Sequence, residues 1–108
     1  MKPLDRFAWI EKYIDTNTLT ASVDVLDRGF VDAYERACKP KQVFIMPFGA
    51  NKIPQLGRDL GEMYSRGTLT RHASGLTQMR GMGFPAWVYV YRLKVVPNNH
   101  RPFPKKEF

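Results

Sequence analysis

Apolar residues open the chain at helical spacing. In "LDRFAWIEKYID" (residues 4–15), Leu4, Phe7, Ala8, Ile10 and Ile14 fall on roughly one face, with Asp5 near the start, which predicts a helix. The period then drops to two. In "TNTLTASVDVL", Leu19, Ala21, Val23 and Val25 alternate with polar partners and predict a short strand near 20–25. A second helix follows at 27–38. Asp27 is its expected N-cap, the apolar stripe is Phe30, Val31, Tyr34, Ala37 and Cys38, and Pro40 stops it.

"KQVFIMPFGA" is apolar but broken by Pro47 and Gly49, and reads as a buried turn or short extended connector. The clearest helix comes next, over 51–66. Ile53, Leu56, Leu60, Met63 and Tyr64 form one apolar face, Asn51 is the expected N-cap, Pro54 sits in the first turn and Gly67 ends it. Gly57 and Gly61 each cost this helix about 1 kcal/mol relative to alanine, which implies close backbone packing against a neighbour. "TLTRH" and the run 87–93 carry strand chemistry. In the latter, Trp87, Tyr89 and Tyr91 alternate with Val88, Val90 and Arg92. Together these elements predict one α+β domain over 1–94, with no internal repeat. The proline-bearing tail 95–108 reads as an extended or disordered basic arm.

Charge adds a direction. Residues 1–50 hold seven basic and seven acidic residues, whereas 51–94 net +5 and 95–108 net +2, so the whole +7 lies in the second half. Such asymmetry points to a polyanion, most often nucleic acid; the bland alternative is a basic excess that serves solubility. The single cysteine, Cys38, lies on an apolar stripe, excludes an internal disulfide and suits a reducing compartment. No apolar run approaches the roughly 20 residues that span a bilayer, and acids among the first apolar residues rule against a signal peptide. A cytoplasmic protein without membrane contact is expected.

Catalysis finds no support. His72 and His100 lack metal-ligand spacing, no carboxylates pair, and "GLTQMRGMG" has neither a phosphate-loop lysine nor a dinucleotide fingerprint. The expectation is no enzyme, no cofactor and no metal.

The order helix, strand, helix, helix, strand, loop, strand is the plan of a winged helix domain, here three helices with a C-terminal hairpin wing and a short extra strand. "LGRDLGEMYSRGTLTRHASGL" and "FPAWVYVYRL" resemble the C-terminal half of winged helix regulators. The chain is also similar to small uncharacterised phage- and prophage-encoded proteins that share Gly49, Ala50, Lys52 and the run Leu56–Leu60. They share as well Gly83, Phe84, Pro85, Trp87, Val88, Tyr89, Tyr91 and Leu93. The resemblance covers about residues 45–93 and implies the fold and a regulatory role; with the basic second half, the expectation is a double-stranded DNA-binding regulator of transcription or replication.

In that plan the last helix enters the major groove by its N-terminal half. Asn51, Lys52, Gln55 and Arg58 are the candidate base readers, since arginine suits guanine while glutamine or asparagine suits adenine. Arg71, His72, Thr77, Gln78 and Arg80 are the candidate wing contacts to phosphate, with Gly75, Gly81 and Gly83 allowing close approach. The competing readings are a solvated helix face with an Arg58–Glu62 pair and a partnerless surface hairpin, with Arg92 and Lys94 as edge charges that discourage sheet pairing. Polar positions on the same helix also include Asp59 and Arg66.

Two other functions compete. Met79, Met82 and Phe84 make the loop apolar enough to dock a host protein without DNA. Trp87, Tyr89 and Tyr91 form a possible platform for RNA or single-stranded bases, although an alternating strand in a small domain more often packs its rings against helices. Trp9 and Tyr13 offer a surface for a homodimer, unless the first helix packs onto the domain.

Overall fold

The structure, a computed structural model, describes residues 1–47, 49–75 and 86–94. Its elements run α1 (Pro3–Asn17), β1 (Ser22–Val23), α2 (Arg28–Cys38), α3 (Pro54–Ser65), β2 (Leu69–Gly75) and β3 (Trp87–Leu93). They form a small α+β fold with three helices and one three-stranded antiparallel sheet. Among the described residues no helix is long and apolar enough to cross a membrane.

Helix α2 starts as its sequence dictates. Asp27 stays extended and its carboxylate accepts the Phe30 N–H at 3.2 Å, satisfying one of the amides a helix start leaves unpaired. Its end is set by Lys39, which takes a left-handed conformation at φ 46° and donates its N–H to Glu35. Gly67, at φ 84°, makes the turn out of α3.

The sheet order is β1–β3–β2, so β3 is the central strand. Leu69 faces Leu93, Arg71 faces Tyr91, Ala73 faces Tyr89 and Gly75 faces Trp87 across β2–β3. Ser22 and Val23 pair with Arg92 and Tyr91 on the other side. Arg92 is therefore flanked by strands on both sides, and its reading as an edge charge does not hold. The alternation predicted for 20–25 shortens to a two-residue strand. Ala21 and Val23 are buried, while Leu19 is exposed.

The core joins every element. Ile10 and Ile14 of α1, Phe30, Val31, Tyr34 and Cys38 of α2, and Leu56, Leu60 and Met63 of α3 pack with Leu69, Tyr91 and Leu93. Two positions of the expected α1 face, Leu4 and Ala8, are instead exposed. The buried face runs through Ile10 and Ile14, and Trp9 stacks with Tyr13 and with Phe30 of α2, which Tyr13 meets at a tilt. The first helix thus packs onto its own domain.

The aromatic rings of β3 grade outward. Tyr91 is buried in the core, Tyr89 is partly covered and Trp87 is half exposed, each meeting the next edge-on at 6.1 and 4.8 Å. Core packing holds for Tyr91 and fades toward the end of the strand where Trp87 stands opposite Gly75.

Candidate nucleic-acid interface

The segment entering α3 is not helical where the sequence suggests. Ile53 occupies the N-cap position with an extended backbone (φ −122°, ψ 100°), and Pro54 is the first helical residue. A residue before proline is driven out of the helical region by the pyrrolidine ring, so a helix begun at Asn51 would clash at Ile53. Asn51 therefore does not cap the helix. Its Oδ1 accepts the Met46 N–H at 3.3 Å, and Lys52 pairs with Phe44 in an antiparallel bridge. Lys52 stands just ahead of the helix, exposed.

Gln55 and Arg58 differ in their freedom. Gln55 is half-buried, and its Nε2 donates to the Tyr34 hydroxyl at 3.0 Å. Arg58 is exposed and makes no ion pair with an acid among the described residues. The Arg58–Glu62 pair of the competing reading is absent there, and Glu62 accepts instead from Arg66 Nε at 3.0 Å. Gly57 and Gly61 do not serve close packing. A Cβ built on either meets nothing within 4 Å. Gly57 is exposed and Gly61 half-buried, and neither has a neighbour that a methyl group would touch.

Asp59, expected on the polar face, is buried. Arg6 donates to its two carboxylate oxygens at 2.7 and 3.1 Å, and the Tyr34 hydroxyl donates at 2.6 Å. A buried carboxylate is tolerated when charge and hydrogen bonds both compensate it. Asp59 and burial act on its neighbours. The Arg6 pKa is raised, chiefly by its hydrogen bond to Asp59. That of Tyr34 is pushed up by burial and by donating its proton to Asp59. Burial, then the Asp59 charge, push the Cys38 thiol up to about 11. The network joins α1, α2 and α3 and runs out to Gln55, so the start of α3 is braced from behind.

On the sheet, Arg71 lies within β2, and its guanidinium sits between two rings, 3.9 Å from the Tyr64 centroid and 4.1 Å from that of Tyr89. His72 is exposed and faces Val90 across the ladder. Gly75 is the last residue of β2. Thr77, Gln78 and Arg80, with Gly81, Gly83, Met79, Met82 and Phe84, lie outside the described residues, as does the tail 95–108.

The sequence reading missed two features. One is the Arg6–Asp59–Tyr34–Gln55 network, for which no local pattern exists. The other is the exposure of the connector: Phe44, Ile45, Met46 and Pro47 are all in water rather than buried. Among the described residues no group of three or more His, Cys, Asp or Glu side chains is placed to hold a metal ion. No family model, curated protein or solved structure matches the chain.

Proposed function

We propose that the chain is a winged helix domain that binds double-stranded DNA, with α3 as the groove-entering helix and the β2–β3 hairpin beside it. The role is that of a phage-type regulator of transcription or replication working in the cytoplasm of a bacterial host. The element order and the central position of β3 support this reading, because they leave α3 with a solvent-facing side next to the hairpin.

The observation that carries the proposal is the outer side of α3. Lys52 and Arg58 are exposed with no described acidic partner, and Gly57 and Gly61 have nothing above them. Glycine in an exposed helix interior weakens the helix, so two of them on one outer side are a stability cost without a return inside the fold. A return exists if a groove wall must approach the helix backbone. Lys52 and Arg58 are the base-edge or phosphate contacts. Gln55 is the adenine-suited reader, its amide oriented by Tyr34. Arg71, clamped between Tyr64 and Tyr89, is a phosphate donor whose position costs little further ordering on binding.

A second reading, single-stranded nucleic acid, is favoured by half-exposed Trp87 next to Tyr89. Anisotropy titration of a labelled duplex and of its separated strands, at one low salt concentration, decides between them. The duplex is expected to bind more tightly. Preference for the single strand transfers the function to the aromatic end of β3, and binding to neither removes both readings.

A further inference from the structure

Just ahead of α3 the chain folds back on itself. Phe44 and Lys52 exchange two backbone hydrogen bonds of 2.8 and 2.9 Å, and the Asn51 side chain ties down the Met46 amide. Held between these ties, Phe44, Ile45 and Met46 are 50%, 78% and 38% exposed. Successive large apolar side chains in water on a tethered turn are an unreturned cost within the domain and mark a contact surface.

The charge carried by this stretch of chain narrows what covers the tip. From Arg36 to Arg58 the chain carries Arg36, Lys39, Lys41, Lys52 and Arg58 and no acid, and all five cations are exposed. An apolar tip in a stretch of chain that carries exposed cations and no acid complements a surface that is anionic overall but offers apolar groups at short range. Duplex DNA has that character in its major groove. Its phosphates line the rims, and the thymine 5-methyl is the apolar group on the base edges.

We propose that Phe44, Ile45 and Met46 form a thymine-methyl contact surface, giving the domain a preference for A·T-rich major grooves beside the bases read from α3. This rests on the duplex-DNA reading above. Phe44 is bridged to Lys52, which stands two residues ahead of Pro54, so the tip is tied to the start of α3 and can share its groove. Its two backbone ties make it stiff before binding, which reduces the ordering that recognition requires.

The test compares full-length protein on two A·T duplexes of one sequence, one built with thymine and one with uracil. Both carry the same phosphate charge and the same hydrogen-bonding edges and differ by the methyl groups. The thymine duplex is expected to bind about fourfold more tightly for each methyl covered. A Phe44→Ser/Ile45→Ser variant is expected to bind both duplexes alike while keeping the steep salt dependence of the parent. Unchanged thermal unfolding of that variant, whose two sites lie outside the core, excludes a folding artefact.

Equal affinity of the parent for both duplexes overturns the methyl surface and leaves the DNA reading standing. Thymine preference that survives in the variant assigns the methyls to other residues and overturns it too. Equal affinities together with tip-dependent self-association, or tip-dependent binding to vesicles of anionic phospholipid, give the tip to that partner instead. No binding to either duplex at low salt overturns the inference and the proposed function together.

Discussion

Arg6 grips both carboxylate oxygens of Asp59 across a sequence separation of 53, joining α1 to the middle of α3. The Asp59 side chain is 5% exposed, and Tyr34 donates to the same carboxylate. Asp59→Ala leaves a guanidinium and a hydroxyl facing each other without an acceptor. We expect it to destabilise the fold by about 3 kcal/mol, read from the urea midpoint. Glu62→Ala removes the exposed Glu62–Arg66 pair and is expected to cost less than about 0.5 kcal/mol. Similar losses at the two positions would mean that Asp59 is not the brace described.

The glycines of α3 separate stability from binding. Because a Cβ at Gly57 or Gly61 meets nothing within 4 Å, alanine at either site is expected to stabilise the protein by up to about 1 kcal/mol. If a groove wall approaches that side, the same methyls weaken duplex binding, by about tenfold for the double variant. A more stable protein with undiminished DNA binding would place the contact on another face.

Alkaline pH gives a signed expectation. In the folded chain Cys38 and Tyr34 keep their protons to higher pH than in the unfolded chain, Cys38 moving from an ordinary 9.0 to about 11. The unfolded state therefore loses protons first, and stability falls as pH rises from about 9 through about 11. Urea titrations at pH 7 and pH 10 measure the difference. The same protonated, buried thiol is expected to resist alkylation at pH 8 until denaturant is added. Rapid modification of the native protein would contradict this burial.

Arg71 links α3 to the sheet through two rings. Arg71→Ala is expected to cost about 1–2 kcal/mol of thermal stability, and Arg71→Lys less, since both contacts are cation–π and lysine keeps the charge. An unaltered melting temperature in Arg71→Ala would show that the rings hold the guanidinium without returning stability to the fold.

Much of the fold is legible in the sequence because periodicity reports which side of an element is dry. The Phe30–Cys38 stripe, the Leu56–Met63 stripe and the threonine- and aromatic-rich strands all appear near their expected positions. Pairwise and long-range facts are not legible. A carboxylate at position 59 reads as solvated until Arg6 is brought beside it, and nothing near either residue announces the other. Gly57 and Gly61 read as packing residues until the space above them proves open. Asn51 is different, since the sequence itself excludes it as the cap. The Ile53–Pro54 pair carries the steric rule that bars a helix from starting earlier. Of the candidate site, Arg58 and Lys52 stand exposed as expected, whereas Gln55 is drawn back to Tyr34 and Arg71 into a ring sandwich.

Duplex DNA binding through α3 is measured most directly by the salt dependence of affinity for the parent chain and for a Lys52→Ala/Arg58→Ala variant. Each phosphate contact contributes close to one unit to the slope of log affinity against log salt. The parent is expected to bind tightly at low salt and to weaken steeply as salt rises, and the variant to bind more weakly throughout, with a slope shallower by about two if both cations meet phosphate. Equal slopes and equal affinities for the two proteins, or no binding to duplex DNA at low salt, would contradict DNA binding through α3.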